Sequence, residues 1–192
     1  MQLIVGMSGA SGVIYGIRLL EVLQQMDDVE THLVMSDSAK MNIAIETGYT
    51  ANEVKDLADH VYSNKDIGAT IASGSFRTAG MVITPCSIKT LSAVANCYAD
   101  SLLVRAADVV LKERRRLVLV PRETPLHSGH CELMLKASQS GAIIAPPMPA
   151  HYINPQTIDD LVNHHVGRIL DLFDLDAELV QRWQGVRNSA DQ

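Results

Sequence analysis

The most constraining feature of this sequence is a regular alternation between short apolar runs and longer segments with helical periodicity. Short β-prone runs predict buried strands, and apolar residues spaced three and four apart predict helices with one buried face. Strands that alternate with helices favour a parallel sheet with helices on both faces. We therefore expect an α/β fold, a three-layer doubly wound parallel sheet of the flavodoxin-like or Rossmann-like kind. The predicted strands are residues 3–7, 31–35, 81–84, 117–120 and 142–145.

The helices follow these strands, and several begin at a residue suited to capping a helix N-terminus. Residues 61–80 are rich in Ser, Gly and Thr and are expected to be mostly loop. We expect one domain over residues 1–185 and a flexible tail over residues 186–192. The predicted helices are residues 13–26, 39–45 after Ser36, a short helix through residue 58 capped by Asn52, 88–98 after Ser87, 101–115, 128–138 and 157–173, the last capped by Thr157 with Asp160.

Charge and composition exclude several classes of protein. The 192 residues hold 16 Lys and Arg against 22 Asp and Glu, a net charge of −6, which argues against general nucleic-acid binding. No apolar run approaches the ~18 residues that a membrane span needs. The first residues resemble a strand and not a signal peptide, and three cysteines at unrelated spacings favour reduced thiols. These features predict a cytoplasmic protein without a disulfide framework.

Small, polar and proline residues collect where the predicted strands end. In doubly wound sheets, ligands bind beyond the carboxyl ends of the strands, so these segments should meet around one pocket. This convergence is the basis of our active-site hypothesis. The segments are residues 8–12, Ser36, 85–90, 121–123 and 146–149.

Two of these segments could hold a phosphate. Residues 9–12 form a glycine-rich turn before a helix, whose free N–H groups and partial positive charge suit an anion. The turn matches neither G-x-G-x-x-G nor the Walker A pattern, and it could equally be only a tight turn. Residues 87–90 open another helix and could form a second phosphate or flavin cradle, although Ser87 could be an ordinary N-cap.

The charged segments allow a functional and a plain interpretation. Arg122 and Glu123 follow a buried strand, where an arginine suits phosphate, although an exposed salt bridge explains the pair as well. Lys112 and the run 114–116 resemble a basic patch, yet they end a helix, where cations offset the helix dipole. We interpret the arginine run as a solvated face.

Four other residues are candidates with plainer explanations. His127 and His130 could be a metal pair, but nothing near them in the sequence completes a zinc site. Cys86 lies where a nucleophile could sit, although a buried inert thiol is the simpler interpretation. Trp183 could dock the end of the chain onto the core or cover a cationic ligand.

Five sequence blocks together resemble the UbiX-type flavin prenyltransferases, which are also labelled as components of phenolic acid decarboxylases (hydroxybenzoate or vanillate). The resemblance runs in order from Leu3 to about Gly185, with no departure from the motifs. The blocks are GASG at 9–12, SGSF at 73–76, PCSIKTL at 85–91, RAADV with LKER at 105–114, and LVPRE at 119–123.

The resemblance implies a homo-oligomer, typically a dodecamer, that binds FMN at subunit junctions. It implies transfer of a dimethylallyl group from dimethylallyl phosphate to N5 and C6 of reduced FMN. The prenylated FMN would then serve a partner UbiD-type decarboxylase of aromatic or phenolic acids. The chain lacks a paired Asp-rich motif that chelates magnesium diphosphate, which favours a metal-free reaction on a monophosphate.

The resemblance also implies roles for individual residues. Residue types that hold phosphate and a protonated carboxyl acid suit cleavage of an allylic C–O bond. The implied FMN contacts are Gly9, Ala10, Ser11, Ser36, Ser87, Ile88, Lys89, Thr90 and Arg122. The implied substrate contacts are Arg105, Lys112, Tyr152 and Arg168, and the implied catalytic residues are Ser11, Glu46, Lys112, Glu123 and Trp183, some reaching in from neighbouring subunits.

Two other functions remain open on the sequence. An FMN-dependent cysteine decarboxylase would share the fold and the FMN pocket, although its Asn-rich substrate segment is absent here. An FMN-binding accessory subunit of a phenolic acid decarboxylase would carry flavin without catalysis. The sequence also leaves open whether ubiquinone synthesis or aromatic-acid breakdown uses the product.

Overall fold

A six-stranded parallel sheet organises the computed structural model, which describes residues 1–183 and residue 185. All neighbouring strands pair in parallel, in the order β3-β2-β1-β4-β5-β6. This is the strand order of the Rossmann arrangement, so the predicted fold class is confirmed. The strands are β1 (Gln2–Met7), β2 (Glu30–Met35), β3 (His60–Ser63), β4 (Gly80–Cys86), β5 (Arg116–Pro121) and β6 (Ile143–Ile144).

Helices cover both faces of this sheet. The first helix contacts β1, β4 and the second helix, whereas the fifth contacts β2, β4 and β5 and packs beside the fourth, which contacts the sixth. The helices are α1 (Val13–Leu23), α2 (Asp37–Glu46), α3 (Ala51–Lys55), α4 (Ile88–Ala95), α5 (Leu102–Lys112), α6 (Ser128–Gln139) and α7 (Ile158–Asp171), with 3-10 turns at Thr70–Ala72 and His151–Ile153.

The chain forms two compact units, one over residues 1–148 and one that begins at Pro149. The first contains the whole sheet and α1 to α6, and the second contains α7. The single domain expected over residues 1–185 stays a prediction, and the tail expected over residues 186–192 lies outside the described residues. No helix in the described ranges is long and apolar enough to cross a membrane.

The central strands are buried on both faces, which explains why they are continuous apolar runs and not alternating ones. Ile4, Met81 and Leu117 lie in register with one another and pack into the core beneath α4 and α5. Leu3 and Val5 alternate with Ile4, so they point to the opposite face, and both are fully buried. This double burial is what makes the sheet a rigid platform for the loops at its edge.

Strand β3 is the main element that the sequence does not predict, because the composition of residues 61–80 indicates loop. His60–Ser63 pairs with β2 at the edge of the sheet, and most of its residues are exposed. An exposed edge strand needs no apolar run, so hydrophobic patterning gives no signal for it. The cap of α3 is also different: Thr50, and not Asn52, forms a capping box with Glu53.

The interpretation of residues 114–116 as a solvated face is wrong for Arg115. This side chain is half-buried, and its guanidinium donates to the carbonyl oxygens of Phe76 at 2.6 Å and Gly74 at 2.7 Å. The helix before it ends at Lys112, three residues earlier than predicted, which frees the arginine to turn inward. Arg115 therefore ties the turn after α5 to the loop that precedes β4.

Gly16 offers a test of how closely α1 packs on the sheet. A Cβ atom there would lie 2.5 Å from the carbonyl oxygen of Thr84 and 2.8 Å from Cε of Met7. We expect Gly16→Ala to lower the free energy of unfolding by about 1–3 kcal/mol despite the better helix propensity of alanine. Urea unfolding measures this change. Gly48→Ala is the control, because a Cβ atom there meets nothing within 4 Å; equal stability of the two variants would contradict the close packing.

Candidate functional site at the carboxyl ends of the strands

A cavity of about 360 Å³ opens at the carboxyl ends of β1, β2 and β4. It lies at the point where the strand order reverses, between β1 and β4, which is where ligands bind in sheets of this type. We call it the crevice. Predicted site residues in its wall are Gly9, Ser36, Ser87, Ile88, Lys89, Thr90 and Glu123, and the remaining wall residues are Ser38, Asn64, Ala93, Asp100, Ser101, Leu103 and Val104.

Three helices, α2, α4 and α5, begin in the wall of the crevice, and a serine side chain caps each of the first two. Ser36 accepts a hydrogen bond from the backbone N–H of Ala39 at 3.1 Å at the start of α2. Ser87 accepts one from the N–H of Thr90 at 3.2 Å at the start of α4. Both serines are therefore N-caps and wall residues at once. Helix N-termini carry a partial positive charge, so this end of the crevice suits a phosphate.

The hydroxyl of Ser8 connects the ends of β1 and β4. It accepts from the backbone N–H of Ser87 at 2.7 Å and donates to the carbonyl oxygen of Pro85 at 3.1 Å. The backbone N–H of Ser8 also donates to Pro85, at 3.0 Å. Ser8 is 1% exposed, so these bonds form away from water. Sequence reasoning places Ser8 in the turn but gives it no role, because its partners lie 77 and 79 residues away.

Gly9 brings the turn after β1 against the start of α2. A Cβ atom on Gly9 would lie 2.3 Å from Cβ of Ser38, a separation that real side chains do not show. Any larger residue would force the two segments apart and change the shape of the crevice wall. The glycine-rich turn is therefore more than a generic tight turn, because Gly9 is needed for this close approach.

Glu46 occupies the anion position at the start of α1. Its carboxylate accepts from the backbone N–H of Gly12 at 2.8 Å and from that of Val13 at 3.3 Å. The expectation that these N–H groups are free for a phosphate is wrong, because they already donate hydrogen bonds to the carboxylate of Glu46 at the end of α2. Ala10 is similarly engaged, since its carbonyl oxygen accepts from the side-chain amide of Asn42 at 3.0 Å. Ser11 lies half-buried between them.

Lys89 is a predicted cation that lies in the crevice wall, whereas Arg105, Lys112 and Arg122 are not among the wall residues. Arg105 donates to the carbonyl oxygen of Ala72 at 3.3 Å and pairs with Asp108 at 2.8 Å. Lys112 pairs with Glu113 at the C-terminal end of α5. Because that helix runs antiparallel to the strands, Lys112 lies at the opposite edge of the sheet from the crevice. Arg122 is exposed, and the structure gives its guanidinium no partner among residues 1–183 and 185.

The second unit holds its own group of predicted residues. The hydroxyl of Tyr152 lies 3.1 Å from Nε2 of His164, and the ring of Trp183 meets Tyr152 edge-on, with centroids 5.9 Å apart. Arg168 pairs with Asp171 at 2.7 Å. The structure thus brings Tyr152 and Trp183 together through direct ring contact.

His164 is a residue of this group that sequence reasoning misses. It is 6% exposed, and burial, followed by the positive charge of Arg168, lowers the pKa of its imidazole. Burial therefore favours the neutral form of this imidazole. One signal is available in the sequence, because His164 precedes Arg168 by four residues and the two share a helix face.

The structure bears on two alternative interpretations, Cys86 as a nucleophile and His127 with His130 as a metal pair. Burial raises the pKa of the Cys86 thiol to about 12, so the buried inert thiol is the correct interpretation. His127 is the N-cap of α6, where its Nδ1 accepts from the N–H of Gly129 at 3.1 Å. Its ring lies against that of His130, with centroids 3.7 Å apart. His127 therefore has a capping role.

Thiol labelling tests the burial of Cys86. Cys97 and Cys131 are exposed, so a Cys97→Ser/Cys131→Ser double variant keeps only the buried thiol. We expect that variant to react with a thiol reagent at pH 8 at least ~100-fold more slowly when folded than when denatured, because thiolate is the reactive form. Ellman's reagent measures both rates. Rapid labelling of the folded double variant would contradict the closed packing around Cys86.

Comparison with known proteins agrees with this geometry. Residues 1–170 match the family model described as Flavoprotein. The chain is 61% identical over 185 residues to "Flavin prenyltransferase UbiX" of Thauera aromatica, covering 96% of this chain and 95% of that protein. It is 58% identical to the protein of the same name from Escherichia coli strain K12, covering 96% and 98%.

Solved structures give the same result. A dodecameric FMN-dependent UbiX-like decarboxylase from Escherichia coli O157:H7 superposes with a TM-score of 0.95 at 55% identity, covering 96% of this chain and all of that one. AnUbiX, crystallised with FMN and dimethylallyl pyrophosphate, gives 0.95 at 49% identity, covering 97% and 98%. With the strand order, the crevice and the full-length similarity in agreement, the chain belongs to the Flavoprotein family and, within it, to the UbiX flavin prenyltransferases.

Proposed function

We propose that this protein transfers a dimethylallyl group from a dimethylallyl phosphate to N5 and C6 of reduced FMN. The observation that carries the proposal is the crevice at the strand-order reversal, where two capped helices begin beside a glycine that tolerates no side chain. The identity of about 60% to named flavin prenyltransferases supports the reaction class. FMN is both the molecule that the crevice fits and the acceptor of the prenyl group.

The flavin phosphate fits the N-terminal end of α4 and its neighbour α2. Backbone N–H groups there are polarised by their helices, and Lys89 adds a positive charge in the same wall. Charge-assisted hydrogen bonds of this kind contribute roughly 1.5–3 kcal/mol each. The apolar wall residues Ile88, Leu103 and Val104 offer a surface for the flat ring system. These residues are our proposal for the FMN contacts, together with Gly9, Ala10, Ser11 and Arg122.

Cleavage of the allylic C–O bond leaves a phosphate and a carbocation-like five-carbon fragment. The prenyl group offers only about 4 kcal/mol of apolar burial at ~0.8 kcal/mol per carbon, so phosphate contacts must supply most of the affinity. We assign these contacts to Tyr152, Arg168, Arg105 and Lys112. The structure supports two of them through position, because Tyr152 and Arg168 both flank the buried His164 in the second unit.

The position of Lys112 supports an oligomeric site. Lys112 lies at the far end of α5 from the crevice of its own chain, so we assign it to the crevice of a neighbouring copy. The E. coli O157:H7 relative is dodecameric, and we propose the same state here. Arg122, exposed and without a side-chain partner in the described part of the chain, is free to reach a ligand held at such a junction.

Glu123 is our candidate for the acid that assists phosphate departure, and Glu46, Ser11 and Trp183 complete the proposed catalytic set. Glu123 lines the crevice and is exposed in the isolated chain, where its carboxylate accepts a hydrogen bond from the N–H of Thr124. A carboxyl group must be shielded from water to stay protonated near neutral pH. A neighbouring subunit and the bound flavin would supply that shielding.

The product, prenylated FMN, is expected to leave for a UbiD-type decarboxylase in the cytoplasm, in ubiquinone synthesis or in aromatic-acid breakdown. The two alternative functions are less well supported. Peptidyl-cysteine decarboxylase EpiD shares only 16% identity with this chain, at a TM-score of 0.65, so that likeness shows the fold alone. An accessory subunit would be needed in stoichiometric amounts, whereas a prenyltransferase activates its partner from a catalytic trace.

Mass spectrometry of the flavin tests the reaction. Incubation with reduced FMN and dimethylallyl phosphate should yield FMN heavier by one five-carbon prenyl unit, with release of inorganic phosphate. The diphosphate, tested in parallel, shows which donor is used. Glu123→Gln should lower the rate by about 10²-fold or more, the usual contribution of a general acid, without weakening FMN binding.

Glu132→Gln is the matched control, because Glu132 is exposed on α6 and does not line the crevice. It should keep the parent rate. Recovery of only unmodified FMN would refute the proposed reaction. An active Glu123→Gln variant would refute the acid role while leaving the reaction class intact.

A further inference from the structure

A cluster of three potential metal ligands lies at the amino edge of the sheet, away from the crevice. Glu30 and His32 are on β2, and His60 is on the edge strand β3. One ligand atom from each residue lies within 4.8 Å of the other two. The crevice is formed where the same strands end, so this cluster takes no part in the function proposed above.

The strand register explains why the three side chains converge. His32 and His60 are paired residues of neighbouring parallel strands, and Glu30 precedes His32 by two positions. Side chains two apart on a strand share a face, so all three point to the same side of the sheet. The two imidazole rings stack with their centroids 4.7 Å apart and their planes 14° from parallel.

A hydrogen bond to the hydroxyl of Tyr62 holds the imidazole of His32, as hydrogen bonds hold metal-binding histidines. Its Nδ1 lies 3.0 Å from the hydroxyl of Tyr62, which in turn lies 3.0 Å from Oγ1 of Thr70. With Nδ1–H donating to the Tyr62 oxygen, the lone pair of His32 is on Nε2. A hydrogen bond of this type to the non-ligating nitrogen fixes the tautomer of metal-binding histidines.

The Nε2 atom of His32 is the unexplained feature of the cluster. His32 is 2% exposed, and its Nε2 has neither a hydrogen-bond partner nor contact with solvent. A buried polar atom left unsatisfied is costly, and the few that persist in native proteins call for an explanation. A metal ion bound at Nε2 would supply the missing partner.

The other two ligands give a metal ion access from solvent. The side chains of His60 and Glu30 are 47% and 44% exposed, and His60 Nε2 lies 2.5 Å from Oε1 of Glu30. Glu30 also accepts from the side-chain amide of Gln2 at 3.2 Å, which orients the carboxylate. Bonds of about 2.0–2.1 Å to zinc hold ligand atoms roughly 3.3 Å apart. The three ligand atoms lie within 4.8 Å of one another, and the exposed ring of His60 must turn out of its stack with His32 for both imidazoles to bind one ion.

We propose that Glu30, His32 and His60 bind a divalent transition-metal ion of the zinc class. Two neutral imidazole nitrogens and one carboxylate suit such an ion, and water completes a four-coordinate site. Imidazole and carboxylate bind such an ion in their deprotonated forms, so metal binding releases to solvent any proton that these ligands carry. The bound ion would also cross-link the edge strand β3 to β2 and so stabilise that edge of the sheet.

Cobalt titration of the chelator-treated, full-length protein tests the site. Four-coordinate Co²⁺ absorbs strongly in the visible range, and we expect saturation at one ion per chain, reversed by Zn²⁺. His60→Gln and Glu30→Gln should each weaken Co²⁺ binding by at least about tenfold, and Tyr62→Phe by about 10-fold to 100-fold through loss of the hydrogen bond that orients His32. Far-UV circular dichroism confirms that each variant is folded.

His127→Gln/His130→Gln is the matched control, because it removes the other adjacent pair of histidines and leaves the cluster intact. It should bind Co²⁺ like the parent protein. The proposal is overturned if the parent protein shows no four-coordinate Co²⁺ spectrum. It is also overturned if binding survives both His60→Gln and Glu30→Gln, or is lost in the control variant.

Discussion

The hydrogen bonds of one buried hydroxyl group, that of Ser8, connect the two strands between which the crevice opens. Ser87 donates its backbone N–H to this oxygen, and the hydroxyl proton goes to the carbonyl oxygen of Pro85. In a doubly wound sheet, the chain leaves β1 and β4 toward opposite faces, so the gap between their ends is where a ligand enters. The Ser8 bonds set the width of that gap, and they place the start of α4 beside the glycine-rich turn.

The crevice is charged mainly by its backbone. Helices α2 and α4 direct their N-termini toward it, and their capping serines satisfy one N–H each while others remain available. The start of α1 is used differently, because Glu46 already neutralises it. A fixed set of backbone dipoles costs little reorganisation when an anion binds, unlike long cationic side chains, which lose conformational freedom. Under the proposed function, Lys89 supplies a side-chain cation in the wall, and the other cations come from other parts of the chain or from neighbouring copies.

Sequence reasoning succeeds where local patterning carries the information. Five of the six strands and the caps Ser36, Ser87 and Thr157 follow from apolar runs and from residue types that favour helix starts. Strand β3 is not predicted, because an exposed edge strand that is held by backbone pairing has no apolar pattern.

The candidate site also contains residues that local sequence patterns predict and residues that they do not. Gly9, Ser87 and Glu123 lie within two residues of the ends of strands, so the strand ends predict them. The roles of Ser8, Glu46 and Arg115 depend on partners more than 30 residues away, which no local pattern records. The family resemblance alone predicts Tyr152 and Arg168, and the structure adds His164 through its contacts with them.

The central claim is that the helix N-termini of the crevice hold the phosphate of FMN. Comparing the affinities for FMN and riboflavin, which differ only in that phosphate, tests it most directly. We expect FMN to bind at least about 100-fold more tightly by flavin fluorescence quenching, a difference of about 2.7 kcal/mol, or one to two charge-assisted hydrogen bonds. Equal affinity for the two flavins would show that the phosphate lies elsewhere and would contradict the account.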